Sequence, residues 1–244
     1  MLNFEFKNKN DLENILEDFK VLFAYHSNKI ENDEINYHDT RDIFENGKIN
    51  GYTGDLRTLF EIQNQKDCYN YLLDRIVERK KIDEKLILYV HMLLTKGTYD
   101  EKRYENGERP GEYKKGDYIV GKNEIGALSK DVESEIEELI NEINSEDSND
   151  YLTIAAYFHL KFESIHPFAD GNGKVGRTLL NYYLMIHDIK PLIVYDEDKK
   201  LYYECLQTFD SKQDIEPLKK FIEYEQEKTW RKKKRSITKL VSFL

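Results

Sequence analysis

The residues best suited to chemistry lie within HPFADGNGKVGR, positions 166–177. His166 supplies an imidazole that titrates close to neutrality and can take a proton from an incoming hydroxyl. Asp170 puts a carboxylate directly before a glycine-rich turn, where it can hold the Mg²⁺ that bridges phosphate oxygens. Gly171-Asn172-Gly173 sits where a helix begins, so unpaired backbone N–H groups and the positive end of the helix dipole converge on an anion. Lys174 and Arg177, at i and i+3 in the first turn, carry positive charge where the dipole disfavours it unless an anion compensates. Singly, each residue is ordinary: a structural histidine, a turn aspartate, an Asn-Gly turn. At this joint spacing they read as base, metal ligand, phosphate cradle and cations.

These residues must be held by a helix, a polar loop and a second helix, which is how 152–187 reads, with Pro167 and Phe168 fixing the start of the loop and anchoring it to the core. Helical periodicity recurs along most of the chain. Leu12, Ile15, Leu16, Phe19, Leu22 and Phe23 share one face, with Asn10 and Glu13 as a capping box. Tyr69, Leu72, Leu73, Ile76 and Val77 repeat the pattern, as do Val132, Ile136, Leu139, Ile140 and Ile143 after a candidate N-cap, Ser129. Leu86 to Leu94 is apolar almost all round, which predicts a central helix, and Pro217 opens a last helix. The exception is EYKKGDYIV at 112–120, where two aromatic and β-branched runs flank Lys115-Gly116-Asp117 and predict a hairpin. The class predicted is all-α: a helical bundle around a central helix–loop–helix, plus one short β-hairpin.

Composition narrows the function. The 244 residues carry a net charge of −10, with 39% hydrophobic and 34% charged residues, which fits a globular protein and disfavours binding to nucleic acid by phosphate neutralisation. The two cysteines, Cys68 and Cys205, suggest no disulfide framework. Neither a signal peptide nor a membrane span is legible, so the expected location is cytoplasmic. The basic run Arg231 to Arg235 reads as a solvated helix face, and His26, His38, His91, His159 and His187 read as structural.

HPFADGNGKVGR closely resembles the Fic motif, His-x-Phe-x-Asp/Glu-Gly-Asn-Gly-Arg/Lys-x-x-Arg, and the resemblance runs over roughly 20–243. It implies transfer of AMP from ATP to a Ser, Thr or Tyr hydroxyl of a protein, with Mg²⁺ or Mn²⁺ as cofactor. By position, His166 is the implied base and Asp170 the metal ligand. Gly171, Asn172, Gly173, Lys174, Gly176 and Arg177 bind nucleotide, and Tyr203, Gln207 and Asp210 lie near the adenine. Lys174 departs from the usual Arg, replacing a bidentate fork with a point charge. The family's phosphotransferase toxins carry Ala-Asn-Lys after the acid, which Gly171-Asn172-Gly173 does not match.

The hairpin has a family counterpart in a flap at about 112–121, whose Tyr113, Lys114, Tyr118, Ile119 and Val120 would hold an extended target segment by strand addition. Ser27-Asn28-Lys29-Ile30-Glu31-Asn32 fits the family's inhibitory pattern Ser/Thr-x-x-x-Glu-Gly/Asn. A Glu31 paired with Arg177 would occupy the cation meant for the γ-phosphate and repel a triphosphate. The expected organisation is one structural domain, with N-terminal helices at 1–50 carrying Ser27 and Glu31 and a catalytic core at 51–244. The expected partner is a protein with an exposed hydroxyl, the chain itself included, and the resemblance admits a weak homodimer. Phosphate transfer, removal of AMP, or a nucleotide-responsive module without catalysis are the alternatives.

Overall fold

The computed structural model describes residues 4–49, 51–119, 126–145 and 149–241, with side chains to residue 231. Two short N-terminal helices, α1 (Lys9–Ile15) and α2 (Glu17–Lys29), are followed by α3 (Tyr37–Asn46), α4 (Leu56–Val77), α5 (Glu84–Thr95) and α6 (Glu101–Glu105). Next come α7 (Val132–Ser145), α8 (Tyr151–Ile165), α9 (Asn172–Ile186), a 3₁₀ turn at Asp196–Asp198, α10 (Lys199–Lys212) and α11 (Glu216–Val241). The architecture is mainly helical, and no strand occurs among the described residues.

The bundle forms around α9. Nearly every α9 side chain is buried, from Asn172 through Val175, Leu179 and Tyr182 to Ile186, because other helices cover this one on every side. It packs against α8, α5, α4 and α2. The expectation that 86–94 is the central helix is corrected here: Leu86, Ile87, Val90, His91 and Leu94 are buried, but Tyr89 is 41% exposed. That helix is an inner wall with one open face.

Three local expectations also change. The first helix is two helices, because Leu16 leaves helical geometry and caps both, and the side-chain cap is Asn8 accepting from Asp11 N–H, not Asn10. Leu16 is itself buried, so the apolar stripe runs unbroken through the joint. Before α7, Ser129 N–H donates to the Asp117 carboxylate at 2.7 Å, which ties the helix start to the 112–119 segment. The hairpin does not form among the described residues: 112–119 is a chain of bends and turns. Its amides bond elsewhere, Lys114 N–H to the Pro167 carbonyl at 2.9 Å and Lys115 N–H to Glu108 at 2.8 Å. Position 120 lies outside the described residues.

Candidate active site

The loop between α8 and α9 is built from its own sequence. α8 stops where His166 takes a left-handed backbone, φ 52°, a conformation uncommon outside glycine and one that clusters at functional sites. The following Pro167 has no N–H to continue the helix. Phe168, 1% exposed, is the anchor, its ring stacked on His91 with centroids 3.7 Å apart. Asn172 brackets it, accepting from Phe168 N–H at 2.9 Å and donating to Phe168 O at 2.8 Å.

At the start of α9, Gly171 has φ +82°, and a Cβ there would sit 2.7 Å from Thr95, so only glycine fits. Its amide turns back to the Asp170 carboxylate at 2.8 Å. No side chain caps α9. The amides of 172–174 therefore precede the first helical donor, Val175 N–H to Gly171 O, and face an anion site.

The charges at this end are already paired. Arg177, 2% exposed, donates to Ser27 Oγ at 3.1 Å, the Ser27 carbonyl at 2.9 Å and Glu31 Oε1 at 2.6 Å. Lys174 Nζ lies 3.0 Å from Glu61 Oε1 and 3.5 Å from Glu31 Oε2. Burial pushes the Glu31 carboxyl up, but Arg177 and Lys174 outweigh it and hold it below its usual range. A Cβ on Gly173 would lie 2.6 Å from Glu31 Oε1 and 2.8 Å from an Arg177 nitrogen, so glycine lets this carboxylate reach its partner. Asp170 Oδ2 meets Arg57 at 3.1 Å and Arg103 at 3.3 Å.

His166 differs. Burial first, then the neighbouring Lys114 cation, lowers its pKa to about 4, so the imidazole is neutral at pH 7. One turn earlier on α8, burial raises the Glu163 carboxyl to about 7.

The sequence-predicted residues meet unevenly around a cleft of about 1200 Å³. Glu31, His166, Asp170, Gly171, Asn172, Gly173, Lys174, Arg177, Tyr203 and Asp210 all line it. Three assignments shift. The Asn172 side chain pins Phe168 instead of facing the cleft, and Lys174 is engaged by Glu61. Gly176 faces α8, where a Cβ would collide with Glu163 and crowd His159 and Phe162. Of the flap set, Tyr113 bonds Glu84, Lys114 is buried and Tyr118 donates to Glu108 at 2.5 Å. Ile119 remains 72% exposed.

Arg57, Glu61 and Arg103 were missed by sequence reasoning. They come from α4 and α6, 113 residues away in the Arg57–Asp170 and Glu61–Lys174 pairs. The one available signal was Glu61 itself, an acid on the buried stripe of α4 beside Ile62, Gln65 and Cys68.

A left-handed histidine, an acid and an uncapped glycine-flanked helix start, set between two buried helices, make this helix–loop–helix of an all-helical bundle a candidate anion site. Residues 81–184 match the Fic/DOC family model, which places a Fic domain in that part of the chain. The chain is 31% identical over 210 residues to "Protein adenylyltransferase Fic" of Drosophila persimilis, covering 84% of this chain and 39% of that protein. The same-named protein of Drosophila virilis is 30% identical, covering 84% and 41%. The chain thus spans about two-fifths of the length of these relatives. The fold superposes on a Fic domain containing signaling protein from Bacteroides thetaiotaomicron with TM-score 0.80 and 20% identity, covering 93% of this chain and 89% of that one. Fic-1 from C. elegans gives TM-score 0.78 at 22% identity, covering 93% and 66%.

Proposed function

We propose that the protein is an adenylyltransferase that moves AMP from ATP to a Ser, Thr or Tyr hydroxyl of a target protein, and that Glu31 restrains it. The observation that carries this reading is the convergence of a neutral His166, the Asp170 carboxylate and the uncapped start of α9 on one cleft. The relatives' name points the same way.

Neutral His166 accepts the proton of the incoming hydroxyl as its oxygen bonds to the α-phosphorus. The bond from that phosphorus to the bridging oxygen breaks, and pyrophosphate leaves. The amides of 172–174 and the α9 dipole hold the phosphate oxygens in place, so catalysis is positioning and charge stabilisation. Asp170 offers one hard carboxylate oxygen beside this cradle, a donor set that suits Mg²⁺ or Mn²⁺ completed by phosphate oxygens and water. When bound, the ion neutralises phosphate charge. Arg57 and Arg103 must then release Asp170 Oδ2. Tyr203, half-exposed at the rim, is assigned to the adenine.

Restraint follows from the ion pair. Arg177 cannot bind the end of a triphosphate while Glu31 holds it at 2.6 Å, and a carboxylate in that slot repels the nucleotide. The helices of 1–50 thus act on the core of 51–244 within one structural domain. The target binds as an extended segment along 112–119, and a second copy of the chain is one such target, which allows self-modification and weak dimers.

The test is to offer α- and γ-labelled ATP with Mg²⁺ to the wild type, His166→Ala and Glu31→Gly. Label from the α-phosphate alone, increased in Glu31→Gly and absent in His166→Ala, is the expected result. Label from the γ-phosphate would make the protein a phosphotransferase. ATP binding without transfer in Glu31→Gly would remove catalysis altogether.

A further inference from the structure

His91 lies outside the motif, on α5, and is 0% exposed. Its ring nitrogens have different partners. Gly111 N–H donates to Nδ1 at 2.9 Å, whereas Nε2 is 3.1 Å from the Asp170 carbonyl oxygen and 3.3 Å from the Tyr99 hydroxyl. A neutral imidazole carries one ring proton, and the nitrogen that accepts from an amide cannot be the one that bears it. The proton is therefore on Nε2, which donates to the Asp170 carbonyl. The Gly111 N–H aimed at Nδ1 leaves no place for a proton there, so the same contact excludes the doubly protonated ring.

We infer that His91 is a positioning residue for the loop, its Nε2–H holding the Asp170 carbonyl and thereby fixing how the Asp170 carboxylate and the α9 amides face the cleft. This rests on the reading of that loop as the phosphate cradle. The geometry over-determines the ring: it stacks on Phe168 at an interplanar angle of 4° while its other nitrogen is fixed by Gly111. Gly111 has φ +87°, and a Cβ there would come 2.9 Å from Met92, so the backbone that supplies the amide is itself locked against α5. With Lys114 N–H on the Pro167 carbonyl, the 111–119 segment and the loop are joined at two points. His91 is one of them, so the surface assigned to the target and the groups assigned to the nucleotide keep one fixed relation.

Two substitutions separate the ring's ends. Glutamine places a donor near the Nε2 position, and asparagine leaves an acceptor near Nδ1 but nothing to reach Asp170. In the Glu31→Gly background, His91→Asn should lower kcat/KM for ATP roughly tenfold, the scale of one lost buried hydrogen bond, and His91→Gln should recover most of it. Equal rates for the two variants would overturn the inference, since packing alone would not tell them apart. The tautomer is tested separately on the unmodified chain by ¹⁵N NMR of the histidine rings. Expected is an unprotonated Nδ1 and a protonated Nε2 at neutral pH. A proton on Nδ1 would overturn the inference even if the variants failed to fold. Absence of AMP transfer in Glu31→Gly itself would instead count against the proposed function and leave the NMR result standing.

Discussion

The two ends of the cleft are organised on opposite principles. Around His166 the groups are fixed mainly by packing: Phe168 lies on His91, Asn172 brackets Phe168, and the imidazole is held neutral by burial and Lys114. Around Arg177 the side chains are charged and held by one another through Glu31, Ser27, Lys174 and Glu61. The first end needs no rearrangement to accept a proton. The second must exchange partners before it can accept a triphosphate. On the proposed function, the base is therefore ready in the resting chain, and the limit is admission of nucleotide and metal, which must displace Glu31 from Arg177 and the two arginines from Asp170.

The harshest way to break this contrast is His166→Ala. It should reduce AMP transfer by about 10²–10⁴-fold, the range for a lost general base, while ATP affinity measured by calorimetry stays within a few-fold. An equal loss of both would mean that the His166 end also binds nucleotide. Next is Glu31→Gly, which frees a charge-assisted contact and should tighten ATP roughly ten- to a hundredfold. The same change takes from buried Arg177 its paired carboxylate and should lower the melting temperature. Because the Glu31 side chain is 26% exposed, the cost should be about 1–2 kcal/mol, below the ~3–5 kcal/mol of a fully buried pair. Saturating ATP should restore it.

The pH profile of kcat/KM sharpens the contrast further. A base with a folded-state pKa of about 4 stays active as the pH falls, and the rate should drop only when the imidazole protonates, below about pH 5. An ordinary histidine would lose activity near 6.5. Any inflection near 7 belongs to Glu163, which is neutral below that value and ionised beside Arg177 above it, and it should vanish in Glu163→Gln. The smallest effect is expected for Ile119→Ser, which leaves stability within about 0.5 kcal/mol, as for most surface changes. It should weaken labelling of an added protein target without altering the ATP requirement. Unchanged labelling would free the 112–119 segment from its assigned role.

How much of this was legible in the sequence follows from distance along the chain. The loop was readable because its base, acid, turn and cations are contiguous, and helix α9 starts where Gly171-Asn172-Gly173 places it. Ser27 and Glu31 were readable because they lie four residues apart in the chain. Arg57, Glu61 and Arg103 were not, since no local spacing announces a pair separated by 113 residues. The hairpin failed for a related reason: the runs on either side of Lys115-Gly116-Asp117 have strand-like residues, but Tyr113 and Tyr118 serve Glu84 and Glu108. The break at Leu16 left no trace because a buried leucine continues the apolar stripe whether or not the backbone does.

Ser27 sits in the last turn of α2, which closes at Lys29 with Ile30 as its cap, and Glu31 follows directly in the turn beyond it. Terminal turns unravel more readily than the middle of a helix. Loosening a handful of peptide units there would withdraw the hydroxyl, the carbonyl and the carboxylate from Arg177 together, with the rest of the bundle unmoved. Control over this protein would then need neither a hinge nor a second domain, only something that favours fraying at one helix tip.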